Sequence, residues 1–283
     1  MAWTTTHDPE AFLALAGPFL WAAPAAHSVL LTTTEALRAR GGSSGAGPDA
    51  PLFGAWRSPG GAIAGAFVER AGLPVLPTAL PPAAIGPLAA TLAAHGRSPS
   101  AVNGGADVAE AFAAAWTART GLGAHRHRRM CLHRLDALVP PAPPPAGAGE
   151  IATEADRDLL VRWWYAFTEE LDEFAVEVEQ AVAGRIAYGG VLVWRVDGEP
   201  VSIAGTTRAV AGMARVAPVY TPPEHRGRGY AAAATAAVTR RLLDAGTREV
   251  LLFTDLANPT SNRLYRRLGY RPVEEVVTLV FAG

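Results

Sequence analysis

"TPPEHRGRGYAAAATAAVTRR", Thr221 to Arg241, sets two glycines among arginines and then turns into a run of near-pure alanine. Alanine is the best helix former and glycine one of the worst, so the stretch predicts a bare turn followed by a helix. Just upstream, "ARVAPVYT" alternates in the manner of a strand and feeds directly into that turn. A strand that enters Gly-x-Gly and then a helix leaves main-chain N–H groups unpaired at the positive end of the helix dipole, which is an anion site. Glycine lets phosphate oxygens reach the main chain where a side chain would block them, and Arg226 and Arg228 add positive charge. The stretch therefore predicts a pyrophosphate cradle. All 25 basic residues are arginine, so a P-loop lysine and a lysine Schiff base are both excluded.

Downstream of the alanine helix come a strand, "EVLLFTD", a helical segment, "LANPTSNRLYRRLGY", and a last strand, "EEVVTLVF". Upstream, "TEADRDLLVRWWYAFTEELDEF" opens with a capping-box pattern from Thr153 to Asp156. It carries Leu159, Leu160, Trp163, Trp164, Phe167 and Leu171 at helical spacing. "YGGVLVWRVDGEPVSIAGTTRAV" reads as two alternating runs joined at Asp197-Gly198, a hairpin. The order is helix, hairpin, strand, helix, strand, helix, strand.

Arg226-Gly227-Arg228-Gly229-Tyr230-Ala231 resembles the acyl-CoA signature of the GNAT acyltransferases, Arg/Gln-x-x-Gly-x-Gly/Ala at the start of a helix. That family's second signature is an Asn followed seven residues later by a Tyr on the next helix. Asn258-Pro259-Thr260-Ser261-Asn262-Arg263-Leu264-Tyr265 matches it, closed by Leu268-Gly269-Tyr270. The resemblance covers about Thr153 to Phe281, and its wording is most similar to the branch that includes the glycine N-acyltransferases.

The resemblance implies a GNAT fold, an α/β (α+β) domain with a mixed central sheet flanked by helices. It also implies acyl transfer from acetyl-CoA or another acyl-CoA to a primary amine, by direct attack in a ternary complex. Backbone groups of Val219, Tyr220 and Thr221 are expected to pair with the pantetheine arm where two parallel strands splay. The amides of Arg228, Gly229, Tyr230 and Ala231 are expected to hold the pyrophosphate. Asn258 should bond the pantetheine region with Ser261 nearby, and Tyr265 should reach the sulfur as general acid. An oxyanion needs a fixed N–H and a leaving thiolate needs a proton, which is why these groups suit the reaction. "ARVAPVYT" lacks the carboxylate that some members keep there as a base. Glu169, Glu170 and Asp255 are the candidates for it, and the base stays unassigned. A non-catalytic CoA-sensing or partner-binding module is the alternative reading.

"LVPPAPPPAGAGE", Leu138 to Glu150, reads as an extended proline-rich connector, because proline fixes φ and lacks an N–H. It divides the chain into residues 1–137, linker 138–150 and a catalytic domain, 151–283. The first part offers a hairpin turning at Ser58 to Gly61, a short strand "PVLPTAL", a helix near Pro82 to His95, a strand "SAVNG", a helix "ADVAEAFAAAWTART" and a strand "HRHRRMCLHRL". That order repeats the second part's, so it is expected to be a degenerate GNAT-like half in tandem. "LPPAAIGPLAA" stands where the cradle belongs, prolines remove amide donors, and no tyrosine precedes Tyr165. This half is expected not to bind CoA and to shape the acceptor site or a homodimer interface.

The formal net charge of −1 offers no global field for a polyanion, so no nucleic-acid partner is expected. A single cysteine, Cys131, fits a reducing cytoplasm. "FLALAGPFLWAAPAAHS" imitates a signal peptide, but its upstream flank is acidic and Pro18 and Pro24 interrupt it, so neither export nor a membrane partner is expected. His125, His127, Cys131 and His133 share a strand face, yet Arg129 lies among them and opposes a metal, so none is expected. The expected partner is a small-molecule or peptide amine.

Overall fold

In the computed structural model, which describes residues 2–41, 47, 49–171 and 177–282, the chain is a mixed α/β protein with a large mixed sheet flanked by helices. In chain order the elements are β1 (Trp3–Thr6), α1 (Pro9–Trp21), α2 (Ser28–Ala39), β2 (Leu52–Arg57), β3 (Ile63–Glu69), β4 (Leu76–Pro77), α3 (Pro82–Ala94), β5 (Ala101–Gly105), α4 (Ala106–Thr120) and β6 (Gly123–Leu135). Then follow β7 (Ala148–Ile151), α5 (Arg157–Glu170), α6 (Val178–Ala187), β8 (Val191–Val196), β9 (Glu199–Thr206), β10 (Met213–Tyr220), α7 (Tyr230–Asp244), β11 (Glu249–Asp255), α8 (Pro259–Arg267) and β12 (Tyr270–Ala282). The two series share one order, β-α-α-β-β-β-α-β-α-β.

The chain forms two compact units. The first holds residues 1–132, 255–257 and 273–283, and the second holds 133–254 and 258–272. The C-terminal strand thus completes the first unit, a division that a linear boundary at the proline-rich segment does not describe. In the first unit β1-β2-β3-β4 form an antiparallel sheet, Val75 bridges Val102 in parallel, and β5 pairs antiparallel with residues 276–280 of β12. Asn103 Nδ2 donates to the Thr278 hydroxyl at 2.7 Å across that last pair. Leu88, Phe112, Trp116 and Phe67 are fully or almost fully buried in its core. The segment that imitates a signal peptide is α1, with Phe12, Ala16 and Leu20 at 0% exposure. Among the described residues no helix is long and apolar enough to cross a membrane.

In the second unit the strand order is β7-β8-β9-β10-β11, antiparallel throughout except for the parallel β10/β11 pair. The β8/β9 turn has Asp197 at φ 51° and Gly198 at φ 86°, the left-handed pair that a two-residue hairpin of this twist requires. The small side chains of Ala233, Ala234 and Ala236 let α7 lie close to Leu192, Ala204, Val216 and Val250.

Several elements depart from the sequence reading, among them β1, which it does not contain. The long helix expected from Thr153 begins as a 3-10 turn, Glu154–Asp156, whose capping box does form, and α5 stops at Glu170; the expected end at Asp172 to Phe174 lies outside the described residues. α6 has no counterpart in the sequence reading, although Val178, Val182 and Ile186 recur every four residues on one face. The end of the proline-rich connector is a strand, β7, whose Ala-Gly-Glu-Ile carries no alternation and is set by pairing to β8. "PVLPTAL" shrinks to Leu76–Pro77, because Pro77 has no amide and the Thr78 hydroxyl accepts the Ala66 N–H that a longer ladder would use.

Candidate acyl-CoA site

The parallel pairing of β10 with β11 ends at Arg215 opposite Leu251, although β10 runs on to Tyr220 and β11 to Asp255. A bulge drives the divergence. Between Val216 and Val219 the β10 register against β9 slips by one residue, and the Ala217 carbonyl moves over Gly205, where a Cβ would lie 2.8 Å from its oxygen. From Val216 onward β10 keeps β9 on one edge and has lost β11 on the other. An extended ligand can add itself to such an edge.

Directly beyond Tyr220 lies the glycine turn. Gly227 has φ 76° and Gly229 φ 85°, left-handed values that side chains disfavour, and Gly229 is the N-cap of α7. The first helix-type backbone bond is Ala233 N–H to the Gly229 carbonyl at 3.1 Å. Among the described residues the N–H groups of Arg228, Gly229, Tyr230, Ala231 and Ala232 find no acceptor, and Arg226 to Gly229 are exposed. Five open amides at a positive helix end make the donor set that a pyrophosphate needs. Arg228 has no carboxylate partner among the described residues.

Asn258 is the N-cap of α8. Its Oδ1 accepts from the Ser261 N–H at 3.0 Å, and its side-chain NH2 has no acceptor among the described residues. Its carbonyl accepts from Asn262 Nδ2 at 2.7 Å, and Asn262 Oδ1 takes the Thr254 hydroxyl at 2.6 Å. Tyr265, half-buried on α8, meets Tyr270 edge-on with ring centroids 6.1 Å apart. No described group hydrogen-bonds its hydroxyl. Burial pushes that phenol well above the ordinary value of 10, and the Tyr270 phenol adds to the rise, so Tyr265 keeps its proton at neutral pH.

Residues 154–270 match the acetyltransferase (GNAT) family model. None of the curated proteins compared with the chain matches it. Among solved structures, a GNAT-family acetyltransferase from Colwellia psychrerythraea aligns over 100% of both chains with TM-score 0.63 and 9% identity. A GCN5-related N-acetyltransferase from Sphaerobacter thermophilus covers 98% of this chain and 94% of its own, with TM-score 0.58 and 18% identity. A tandem GNAT protein from the clavulanic acid biosynthesis pathway covers 89% and 88%, with TM-score 0.51 and 18% identity. At these identities the likeness is one of fold, and it extends over both units.

Within the segment that matches the family model, the three carboxylates offered as bases differ. Glu170 is bound bidentately by Arg226 Nη2, at 2.6 and 2.8 Å. Arg226 Nε donates to the Thr221 carbonyl at 2.8 Å, so this arginine is turned onto protein rather than held out for phosphate. Asp255 faces Arg128 at 3.5 Å, and its Oδ1 accepts the Ala257 N–H at 2.7 Å. Glu169 is exposed, and its carboxylate has no partner among the described residues.

The backbone carbonyls at the end of β10 are also engaged. The fully buried Ser202 hydroxyl donates to the Tyr220 carbonyl at 3.0 Å and lies 2.8 Å from the Thr221 hydroxyl. With Arg226 on the Thr221 carbonyl, the carbonyls of Tyr220 and Thr221 each already accept a side-chain hydrogen bond. Trp163 packs on Tyr220, ring centroids 6.0 Å apart. Burial pushes the Tyr220 phenol up and the Glu170 carboxylate beside it adds to the rise. The sequence reading does not reach Ser202, because pairing across strands leaves no local spacing to detect; Trp163, read there on the apolar face of the helix, takes its place beside Tyr220.

On β6 the face with His125, His127, Cys131 and His133 changes character along its length. His125 is exposed, whereas Cys131 and His133 are 5% and 1% exposed. Among the described residues no group of three His, Cys, Asp or Glu is arranged to hold a metal.

Proposed function

We propose that the chain is an acyl-CoA-dependent N-acyltransferase, acting with acetyl-CoA on a primary amine, small or peptidic, in the manner of the glycine N-acyltransferase-like branch. The observation that carries the reading is the open edge of β10 running into the left-handed turn at Gly227 and Gly229 and, from Arg228 to Ala232, five amides with no acceptor among the described residues. Acetyl-CoA supplies a thioester, whose carbonyl gathers negative charge during attack by an amine. The chain's own groups serve each end of it. The amides of Arg228 to Ala232 hold the pyrophosphate, Arg228 adds charge, and Gly227 keeps the approach clear. Asn258 offers its NH2 to the pantetheine amides beside Ser261. An N–H near Val219 faces the developing oxyanion, where a fixed donor lowers the barrier. Tyr265 donates its proton to the departing sulfur, a role that a phenol held protonated by burial suits. Glu169, free of partners, is the carboxylate best able to take the proton from the amine, directly or through water.

The first unit is the degenerate partner of this site. Its equivalent of the β10/β11 opening stays shut: Val75 and Asn103 hydrogen-bond at 3.0 Å, and a Cβ on Gly104 would already stand 3.4 Å from Pro77. α3 begins with Pro81 as N-cap and Pro82 at its start, which removes the amides a phosphate needs.

Calorimetric titration with acetyl-CoA and CoA tests both statements. One site per chain is the expected result. No binding overturns the acyltransferase, and two sites overturn the degenerate half. Because Glu170 and Asp255 are both engaged by arginines, a CoA-sensing module is the second reading. It is favoured if CoA binds tightly and no amine in a broad panel is acetylated.

A further inference from the structure

The sequence reading gives the first arginine of the signature to the phosphates, yet its contacts lead elsewhere. Arg226 spends one face on Glu170, the last residue of α5, in a two-pronged ion pair at 2.6 and 2.8 Å. It spends its Nε on the Thr221 carbonyl, one residue past β10. Its guanidinium also stands 5.9 Å from the Tyr220 ring centroid, and Tyr220 in turn packs on Trp163 of α5. Two segments 56 residues apart are therefore pinned together where the edge of β10 opens. A guanidinium whose Nη2 is shared by both oxygens of one carboxylate while its Nε holds a carbonyl is tied at two of its nitrogens, which fixes its orientation.

We propose that Glu170 and Arg226 are positioning residues. They form a latch that ties the end of α5 to the end of β10 and holds the turn carrying the cradle glycines. Arg226 does not bind phosphate, and Glu170 is not the base. This rests on the acyltransferase reading for its consequence in catalysis, but not for the latch itself. The effect on the reaction follows from the covalent link: residues 221–229 join the latch to Gly229, so loosening it lets the open amides wander from the geometry a pyrophosphate requires. The pantetheine edge begins at the same Thr221, so a loosened latch disturbs both halves of the cofactor's path together.

A double-mutant cycle tests this with Glu170→Ala, Arg226→Ala and the combined variant. Both groups are about half exposed, 43% and 47%, so the variants should fold, which a melting curve verifies. The first readout needs no ligand: amide hydrogen exchange in peptides spanning 221–229 and the end of α5. Each single variant should exchange about threefold to fivefold faster there, the scale of one half-exposed bidentate pair. The double variant should exchange no faster than Arg226→Ala alone. The second readout compares acetyl-CoA with S-acetyl-pantetheine, which carries no phosphate. The latch predicts that KM rises for both substrates, more for acetyl-CoA, which spans both halves of the path, and that Glu170→Ala shows the rise as well. Unchanged exchange in Glu170→Ala, or a loss seen only with acetyl-CoA and only on changing Arg226, overturns the latch and restores Arg226 as a phosphate ligand. If wild type binds no CoA, the acyltransferase reading fails while the exchange data still decide the latch.

Discussion

Replacing Gly229 by alanine isolates what the cradle owes to backbone conformation. At φ 85° a residue with a Cβ is strained by about 1–2 kcal/mol, and the added methyl meets only ordinary contacts, with Pro145 3.8 Å away. The strain is therefore conformational and not a clash. That strain lowers Tm by about 3–6 °C, and the turn sheds part of it by moving φ out of the left-handed region, which rotates the Gly229 N–H away. Losing one hydrogen bond to a charged phosphate is worth about 1.5–3 kcal/mol, so CoA affinity should drop about tenfold to a hundredfold. Gly246, just beyond the other end of α7, supplies the control. It sits at φ 83° in open space, so Gly246→Ala carries the same strain far from the open amides. Differential scanning calorimetry and CoA titration on the two variants decide the matter. Equal losses of stability with a CoA defect confined to Gly229→Ala are expected. A Gly229→Ala protein that binds CoA as wild type does, or a Gly246→Ala protein that loses CoA equally, would refute the reasoning.

Three other outcomes are expected. Tyr265→Phe should lower kcat by about 10² to 10⁴ while CoA affinity holds, and stopped assays with free thiol detection will show it. Because burial raises this phenol above 10, the wild-type acid is fully protonated below that value and is lost only at higher pH; a rate that collapses already near neutrality through Tyr265 would contradict the assignment. Arg228→Glu should weaken CoA by about tenfold or more, with the penalty shrinking as salt rises, and unchanged affinity at low ionic strength would remove Arg228 from the cradle. Asp255→Asn should leave the amine-dependence of the rate intact, since its carboxylate serves Arg128 and the Ala257 amide, whereas Glu169→Gln should remove the low-pH limb of kcat/KM. Profiles of the two variants against pH separate them.

The parts of the site legible in the sequence are those set by backbone rules. Gly227 and Gly229 leave a trace because left-handed φ is nearly theirs alone, Asp197-Gly198 for the same reason, and Asn258 because a helix start selects its type. What escaped was set by partners distant along the chain. Nothing near Glu170 announces that Arg226 will take it, and nothing in "EEVVTLVF" says which sheet it enters, because alternation fixes a strand's faces and not its neighbour. Ala148–Ile151 was hidden among prolines for the same reason: its pairing with β8 is a fact about β8.

The antiparallel pairing of Ala101–Gly105 with residues 276–280 bears on the order of assembly. During synthesis the ribosome has released the whole of the second unit before the strand that closes the first unit emerges. The earlier half must therefore wait with the flank of β5 exposed while the later half is already able to collapse. Non-local pairing of this reach is slow to nucleate and leaves an open edge in the meantime. The half with the shut cleft is thus the last to finish folding, so shortening the chain at its end damages the beginning first.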